Sequence, residues 1–233
     1  NWRNLMIKSN TVVVIAPHAD DEVLGCGATI ARHVSEGDKV VVAIMTNANI
    51  VAPELFSSDY IDMVRSETKL AHKILGVSDT IFLDYPAPML DQFPSYKISI
   101  KISKILDKYK PKYLYLPFPG DMHLDHRVVY QAALVAARPQ GGYSVKNIFC
   151  YETLSETDWS PTINNEYFSP NYFVNVTDFF DQKVEAIKCF SSQLKNPPHP
   201  RSIEALSHLS GYRGATIGAN KAEAFKIERM IWR

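Results

Sequence analysis

The chain has 233 residues, of which 46% are hydrophobic and 21% are charged, and its 25 Lys and Arg residues equal its 25 Asp and Glu residues in number. These values exclude an intrinsically disordered or fibrous protein, and the lack of a basic run argues weakly against nucleic acid as the main partner. We therefore expect one globular domain over residues 1–233 that acts on a small molecule.

Cysteine usage and hydropathy bear on the location of the protein. The cysteines are odd in number and far apart, which is typical of reduced intracellular thiols: Cys26, Cys150 and Cys189. No apolar run is long enough to span a bilayer and no secretory signal pattern is present, so we expect a cytoplasmic protein. The chain begins at Asn1 and not at methionine, which leaves open whether an N-terminal targeting segment was removed. The sequence also leaves open whether the protein forms a homo-oligomer.

Strand-like and helix-like segments alternate through the first two thirds of the chain. Residues 12–16 form a continuous β-branched run closed by Pro17, which is typical of a strand buried on both faces. A segment with apolar residues at helical spacing follows, and Gly37 ends it. Continued in this way, the pattern predicts strands at 12–16, 39–46, 80–83 and 112–117, and helices at 22–35, 57–75, 95–109 and 123–137.

After residue 143 the alternation is less regular. We predict strands at 147–151 and 172–176, helices at 178–193 and 203–212, and a Pro- and Asn-rich loop at 156–171. Strands that alternate with helices indicate a parallel sheet covered on both faces. The predicted fold is a Rossmann-like three-layer α/β domain with a mainly parallel sheet and a less regular C-terminal third.

A first cluster of polar residues follows the first predicted strand. His18 and Asp21 are three residues apart on a tight turn, where a nitrogen and an oxygen ligand can converge on one cation, and Asp20 lies between them. The alternative is that Asp20, Asp21 and Glu22 only cap the helix that follows. Capping gives no reason for a histidine at the end of the strand, which favours the metal site.

A second cluster follows the fourth predicted strand. His123 and His126 lie on one turn at the start of a predicted helix, so one can bind a metal while the other faces the substrate. The alternative is that Asp121 or Asp125 caps this helix and the histidines are surface residues. Capping alone does not explain two such clusters at the carboxyl ends of two strands of one sheet, so we predict a shared metal site.

These two clusters carry a family resemblance. His18-Ala19-Asp20-Asp21-Glu22 is similar to the H-P-D-D-E motif, and His123-Leu124-Asp125-His126 to the H-x-D-H motif, of the LmbE-like, or PIG-L, family of zinc-dependent N-deacetylases. Members act on N-acetylglucosamine-type amino sugars and their conjugates. Further similarities are Arg65-x-Glu67 before Leu75-Gly76-Val77, and Ala222-Glu223-Ala224-Phe225.

The resemblance implies roles for single residues. It implies one Zn²⁺ per chain, held by His18, Asp21 and His126. It implies Asp20 as the general base, and His123 as the group that stabilises the oxyanion or protonates the leaving amine. Asp125 would then orient and tune His123. Arg65 is a candidate for substrate binding, and an ion pair with Glu67 or another neighbour is the alternative.

The chain departs from the family pattern at two places, of which the second bears on the substrate. Ala19 replaces the usual proline of the first motif, and the stretch 83–89 lacks an aspartate that often follows the proline there. The prediction is an N-deacetylase of an N-acetylated amino sugar, free or in a conjugate. The alternatives are a metal-dependent hydrolase of another bond, such as a phosphoester, and a non-catalytic, metal-containing carbohydrate-binding protein.

Overall fold

A computed structural model describes residues 9–140, 144–160 and 167–232. Within these residues the chain forms one sheet of seven strands. The strands are β1 (Thr11–Ala16), β2 (Lys39–Asn47), β3 (Asp79–Pro86), β4 (Tyr113–Pro117), β5 (Asn147–Tyr151), β6 (Tyr172–Asn175) and β7 (Ala222–Met230).

Six α-helices accompany the described part of the sheet. They are α1 (Asp21–Ser35), α2 (Ser58–Leu75), α3 (Ser95–Tyr109), α4 (Leu124–Ala136), α5 (Phe180–Lys188) and α6 (Ile203–Ala215). Short 3₁₀ turns follow β2 at Ala48–Ile50 and precede α3 at Leu90–Gln92. Among the described residues, no helix has the length and apolar character needed to cross a bilayer.

The sheet has the strand order β3-β2-β1-β4-β5-β7-β6. Strands β1 to β5 pair in parallel, whereas β7 runs antiparallel to both β5 and β6. The chain builds outward from β1 toward β3 and then returns to place β4 on the other side of β1. This reversal opens a crevice at the carboxyl ends of β1 and β4, which is where open α/β sheets bind ligands.

Strand β1 is buried on both faces of the sheet. Val12 and Val14 pack in the core on one face, and Val13 and Ile15 pack in the core on the other. Helices α1, α2 and α5 contact one another on the first face, and α3 contacts α4 on the second. The predicted three-layer α/β fold with a mainly parallel sheet is therefore confirmed.

Helix α1 is kinked at Cys26, whose φ of −144° is not helical. The ammonium group of Lys183 donates to the carbonyl oxygen of Leu24, and the carboxylate of Glu223 accepts from the backbone N–H groups of Ala28 and Thr29. A buried ion pair between α5 and β7 thus provides hydrogen-bond partners for backbone groups of α1 on both sides of the kink.

The element boundaries differ from the predicted ones mainly after residue 150. Helix α5 ends at Lys188, five residues earlier than the predicted end, and continues as turns. Strand β7 was not predicted as a strand at all. The predicted loop at 156–171 includes residues 161–166, which lie outside the described residues.

Candidate active site

The two predicted clusters meet in the crevice between β1 and β4. His18 follows β1 by two residues, and His123 is the residue that precedes α4. The ring centroids of these two histidines are 4.4 Å apart, and those of His18 and His126 are 5.3 Å apart. The structure thus brings together residues that are about a hundred positions apart in the sequence.

The turn of the first cluster has an unusual backbone conformation at Asp20. This residue has φ 111° and precedes α1, yet its side chain makes no capping hydrogen bond to that helix. Its N–H donates to the Glu22 carboxylate, which also lies 2.9 Å from Nε2 of His72. The capping alternative therefore does not explain why an aspartate stands at position 20.

Capping is also incomplete as an explanation of the second cluster. The residue that caps α4 is His123, because its Nδ1 accepts from the N–H of Asp125 at 3.2 Å. The carboxylate of Asp121 instead lies 2.7 Å from Nδ1 of His126 and accepts a hydrogen bond from Thr157. A carboxylate partner at Nδ1 leaves Nε2 of His126 facing the other cluster.

Three side chains form a group that could hold a metal ion. His18, Asp21 and His126 each offer one ligand atom, and these atoms all lie within 4.8 Å of one another. Asp21 and His126 are fully buried. Nε2 of His126 lies 3.2 Å from Oδ2 of Asp21, and Nδ1 of His18 lies 3.3 Å from the same oxygen. His18, His123 and Asp125 form a second group that satisfies the same distance.

The first group fits a divalent cation better than the second. Oδ1 of Asp21 and Nε2 of His126 are buried and have no hydrogen-bond partner among the described residues, since the 3.2 Å contact of this nitrogen with Oδ2 of Asp21 does not have hydrogen-bond geometry. Unpartnered buried polar atoms are costly, and a metal ion between them would remove that cost. Two imidazole nitrogens with one carboxylate oxygen match the ligand chemistry of zinc. Each carboxylate accepts a backbone N–H, Asp21 from His18 and Asp125 from Leu90, but among the described residues the second group has no buried side-chain atom without a partner.

The electrostatics of the cluster favour a positive charge at this place. Burial opposes the charged forms of His18 and His126, but the neighbouring carboxylates raise the pKa of His18 to about 9 and that of His126 to about 10. Burial alone would raise the pKa of Asp21, yet the two histidines hold it well below its ordinary value. A proton or a metal cation can supply the positive charge that these carboxylates stabilise.

Asp20 has an arginine as its partner. Its carboxylate is buried and accepts a hydrogen bond of 2.9 Å from Nη1 of Arg201. Burial raises the pKa of Asp20 to about 7, although Arg201 favours the charged form. Arg201 itself is held by Ser155, to which its Nε donates, and it lies near the carboxylate of Glu156.

The neighbourhood of His123 differs from the arrangement that the resemblance implies. The Asp125 carboxylate lies 4.0 Å from Nδ1 of His123 but only 3.1 Å from Nε2 of His18. It is turned away from His123 because it also accepts from Leu90 N–H. It is therefore the backbone of Asp125, and not its side chain, that hydrogen-bonds to His123. Burial, together with the charge of His18, lowers the pKa of His123 to about 4.

Arg65 lines the same cavity as His18 and Asp20, and its partner is Asp84. Of the two predicted alternatives, the ion pair with a neighbour is therefore present in this structure. The partner is not Glu67, whose carboxylate accepts from Ser191 and Ser192. The guanidinium carbon of Arg65 also lies 5.0 Å from the centre of the Phe82 ring.

Arg201 was not predicted from the sequence as a residue of the site. This arginine follows the Pro-rich segment 196–200 and contacts Asp20 from 181 positions away. No local pattern marks such a contact. The role of Asp121 beside His126 was also not predicted, although a carboxylate five residues before a candidate ligand could have suggested it.

The chain matches a family described as "PIG-L: GlcNAc-PI de-N-acetylase" over residues 13–137, which is more than half of its length. The chain belongs to the PIG-L family. The matched segment contains both clusters of the site.

Among relatives of this PIG-L chain is the "Uncharacterized deacetylase YaiS" of Escherichia coli strain K12. It is 30% identical over 190 residues, which cover 78% of this chain and 90% of that protein. A solved structure, the "conserved protein TT1542" of Thermus thermophilus, is 26% identical with a TM-score of 0.77, and the match covers 96% of this chain and 97% of that one. A second solved structure is the N,N'-diacetylchitobiose deacetylase of Pyrococcus horikoshii, which is 25% identical with a TM-score of 0.75. This match covers 97% of this chain and 86% of that one.

Proposed function

We propose that this chain is a zinc-dependent N-deacetylase that hydrolyses the acetamide of an N-acetylated, GlcNAc-type amino sugar, free or in a conjugate, to the amine and acetate. One observation carries the proposal. His18, Asp21 and His126 converge with unpartnered buried atoms beside the carboxylate of Asp20, in a chain that belongs to the PIG-L family. The similar proteins that are named as deacetylases support the reaction class.

His18, Asp21 and His126 would hold the zinc ion, one per chain. A bound zinc ion would supply Lewis acidity, which activates water near neutral pH and polarises an amide carbonyl. Asp121 supports this assignment of ligands. Because its carboxylate accepts from Nδ1–H of His126, the lone pair of Nε2 stays available to a cation.

Asp20 would act as the general base and would then return the proton to the leaving amine. It lines the cavity together with His18 and His123, and it is not one of the three candidate ligands. The hydrogen bond from Arg201 fixes one oxygen of its carboxylate, so the other oxygen stays available for proton transfer. Such proton transfer typically contributes about 10²–10⁴-fold to the rate.

His123 would stabilise the developing oxyanion as a neutral hydrogen-bond donor. Its Nδ1 accepts from the N–H of Asp125, and this contact requires the tautomer that carries the proton on Nε2. A neutral ring in this tautomer can donate to the oxyanion, while Asp20 handles the proton. Asp125 would orient His123 through its backbone and His18 through its carboxylate.

Arg65 would contact a hydroxyl group of the sugar. It lines the cavity, and although it pairs with Asp84 its guanidinium group has further N–H donors. Under this proposal it contributes to substrate affinity more than to the chemical step.

The test compares Asp20→Asn with His126→Ala. Asp20→Asn is expected to bind one zinc ion per chain, measured by elemental mass spectrometry, and to release acetate from N-acetylated amino sugars at least about 10²-fold more slowly than the wild type. His126→Ala is expected to lose both zinc and activity. Circular dichroism would establish that both variants are folded.

Three outcomes would contradict the proposal. Wild-type turnover by zinc-loaded Asp20→Asn would exclude Asp20 as the base. Full zinc binding by His126→Ala would exclude the ligand set. A zinc-loaded wild-type protein that releases no acetate from free, nucleotide-linked or glycan-linked amino sugars would favour the carbohydrate-binding alternative.

A further inference from the structure

The cavity at the proposed active site extends well beyond the metal cluster. Its volume is about 380 Å³, which is near the small end of the range for ligand sites. His18, Asp20 and His123 line one part of it. Another part, which we call the apolar lobe, is lined by side chains from β2, β3, α2 and the loop before α2: Ile44, Phe56, Tyr60, Ile61, Val64 and Phe82.

The apolar lobe keeps part of its hydrophobic surface open to the cavity. Ile44 is buried, but the other five side chains of the lobe are only partly buried. Apolar side chains that remain partly accessible in a concave site beside the catalytic groups are the usual lining of a ligand pocket. The lobe therefore presents a surface that an apolar group would cover.

Polar side chains in this part of the cavity are already hydrogen-bonded within the protein. The hydroxyl of Thr46 donates to the carbonyl oxygen of Pro17, and the amide of Asn47 donates to the carboxylate of Asp84. The same carboxylate pairs with Arg65. What the lobe offers to a ligand is thus mainly hydrocarbon and aromatic surface.

The charges around the cavity argue against a phosphate-bearing substituent. Arg65 and Arg201 line the cavity, and each has an acidic partner: Asp84 for Arg65, and Asp20 for Arg201. In the part of the chain that the structure describes, the cavity has no lysine or arginine without such a partner. A phosphate or nucleotide group would bring charge that this wall does not neutralise.

We propose that the substrate carries an apolar group close to the hydrolysed amide, and that this group binds in the apolar lobe; the inference rests on the proposed N-deacetylase function. An alkyl or aryl aglycone on the amino sugar would supply such a group, and so would an acyl chain longer than acetyl. Each methylene group buried in the lobe raises kcat/KM by about threefold to fourfold. A chain of four further carbons gains about 10²-fold.

Two substrate series distinguish the sources of the apolar group. One series contains methyl, butyl and hexyl β-glycosides of N-acetylglucosamine, and the other contains N-acetyl-, N-butanoyl- and N-hexanoylglucosamine. The release of the carboxylic acid is measured with the zinc-loaded enzyme. Calorimetric binding of the corresponding glucosamine glycosides, which cannot be hydrolysed at an amide, provides a readout that does not depend on turnover.

A matched pair of variants tests the lobe itself. The double variant Ile61→Thr with Val64→Thr keeps β-branched side chains in α2, with one heavy atom fewer at position 61, and makes the lobe more polar. Ile74→Thr makes the same change on the same helix at a side chain that is 37% exposed and does not line the cavity. We expect the double variant to lower the ratio of kcat/KM for the hexyl glycoside to that for the methyl glycoside at least about tenfold, and Ile74→Thr to leave this ratio at the wild-type value.

The outcomes separate this inference from the proposed function. A gain along the glycoside series assigns the lobe to the aglycone, and a gain along the acyl series assigns it to the acyl chain. Equal kcat/KM and equal affinity for all chain lengths, or a gain that survives in the double variant, would overturn the inference while the deacetylase function stands. If no substrate is hydrolysed, tighter binding of the hexyl glycoside would still support the lobe, and the proposed function alone would fail.

Discussion

Asp20 lies between two candidate metal ligands. Its φ is 111°, a backbone conformation that residues other than glycine rarely adopt. Two side chains help to keep the residue in this conformation. Glu22 accepts from its N–H, and Arg201 donates to its carboxylate. A buried residue that keeps a strained conformation beside a cavity is held there by its surroundings, which is typical of groups that must keep one orientation.

Replacing Arg201 is therefore expected to slow the reaction without removing the metal. In Arg201→Gln the carboxylate of Asp20 loses its charged partner and one fixed oxygen, and we expect kcat to fall by about 10- to 100-fold. The zinc content should equal that of the wild type, because Arg201 is outside the candidate ligand group. Steady-state kinetics and elemental analysis of the same preparation measure both quantities.

Arg213 offers the matched control. It forms an ion pair with Glu152, and its side chain is 17% exposed compared with 18% for Arg201. Arg213→Gln should therefore remove an arginine charge of similar burial and cause little loss of kcat. Equal losses of activity in the two variants, or loss of zinc from Arg201→Gln, would show that Arg201 has only a structural role.

At the scale of elements, the kink of α1 joins three parts of the chain. The ammonium group of Lys183 on α5 and the carboxylate of Glu223 on β7 bind backbone groups on the two sides of Cys26. Both side chains are at least 95% buried. The segment Ala222-Glu223-Ala224-Phe225, which is similar to the family pattern, therefore contributes to the site indirectly. Its Glu223 helps to position α1, the helix that follows Asp20.

Lys183→Met is expected to lower the free energy of unfolding by about 3–5 kcal/mol, because it leaves the Glu223 charge buried without its partner. Lys188→Met on the same helix removes an exposed ion pair with Glu185 and should change the free energy of unfolding by no more than about 0.5 kcal/mol. Equilibrium denaturation in urea measures both. A small effect of Lys183→Met would mean that the kink does not depend on the ion pair.

Two glycines in helices should respond to alanine with opposite signs. A Cβ at Gly25 in α1 would lie 2.2 Å from a ring carbon of Tyr151, so Gly25→Ala should cost at least about 1–3 kcal/mol of stability. A Cβ at Gly211 in α6 would meet only the Lys221 ammonium group at 3.8 Å, so Gly211→Ala should be neutral or stabilise by about 0.5–1 kcal/mol. Thermal unfolding distinguishes the two signs, and a neutral Gly25→Ala would contradict the close packing.

The elements that could be predicted from the sequence are those whose residues share one environment. Strand β1 is buried on both faces and is therefore a continuous β-branched run, and helix α3 was predicted with its correct bounds from its periodicity. Strand β7 was missed because buried Ala222–Phe225 is followed by Lys226, Glu228 and Arg229, which mix charges into the strand. In the site, both motifs were local and were found, whereas the contact of Arg201 with Asp20 depends on the tertiary fold.

At the scale of the whole molecule, the site exists only when β1 and β4 are paired. His18 and Asp125 are 107 positions apart, and their side chains meet because these two strands are neighbours in the sheet. An unfolded chain does not hold such a group of ligands together. Metal binding should therefore stabilise the folded state by mass action.

Removal of zinc is accordingly expected to lower the melting temperature. Zinc at about 100 times its dissociation constant contributes about 2.7 kcal/mol, which corresponds to about 5–11 °C for a domain of this size. Calorimetric scans with zinc and after dialysis against a chelator measure the difference. His126→Ala should melt at the same temperature in both conditions. An equal shift in this variant would indicate that the stabilising zinc binds elsewhere.

The place of β7 between β5 and β6 has a consequence for how the protein forms during synthesis. In the described sheet β6 pairs with β7 and not with β5, although β5 and β6 come earlier in the chain. While the ribosome is still making the residues after β6, strands β1 to β5 can already pair, but β6 and the outer edge of β5 both lack the strand that will lie between them. The nascent chain must therefore keep this segment from pairing with other chains until β7 emerges and inserts beside it.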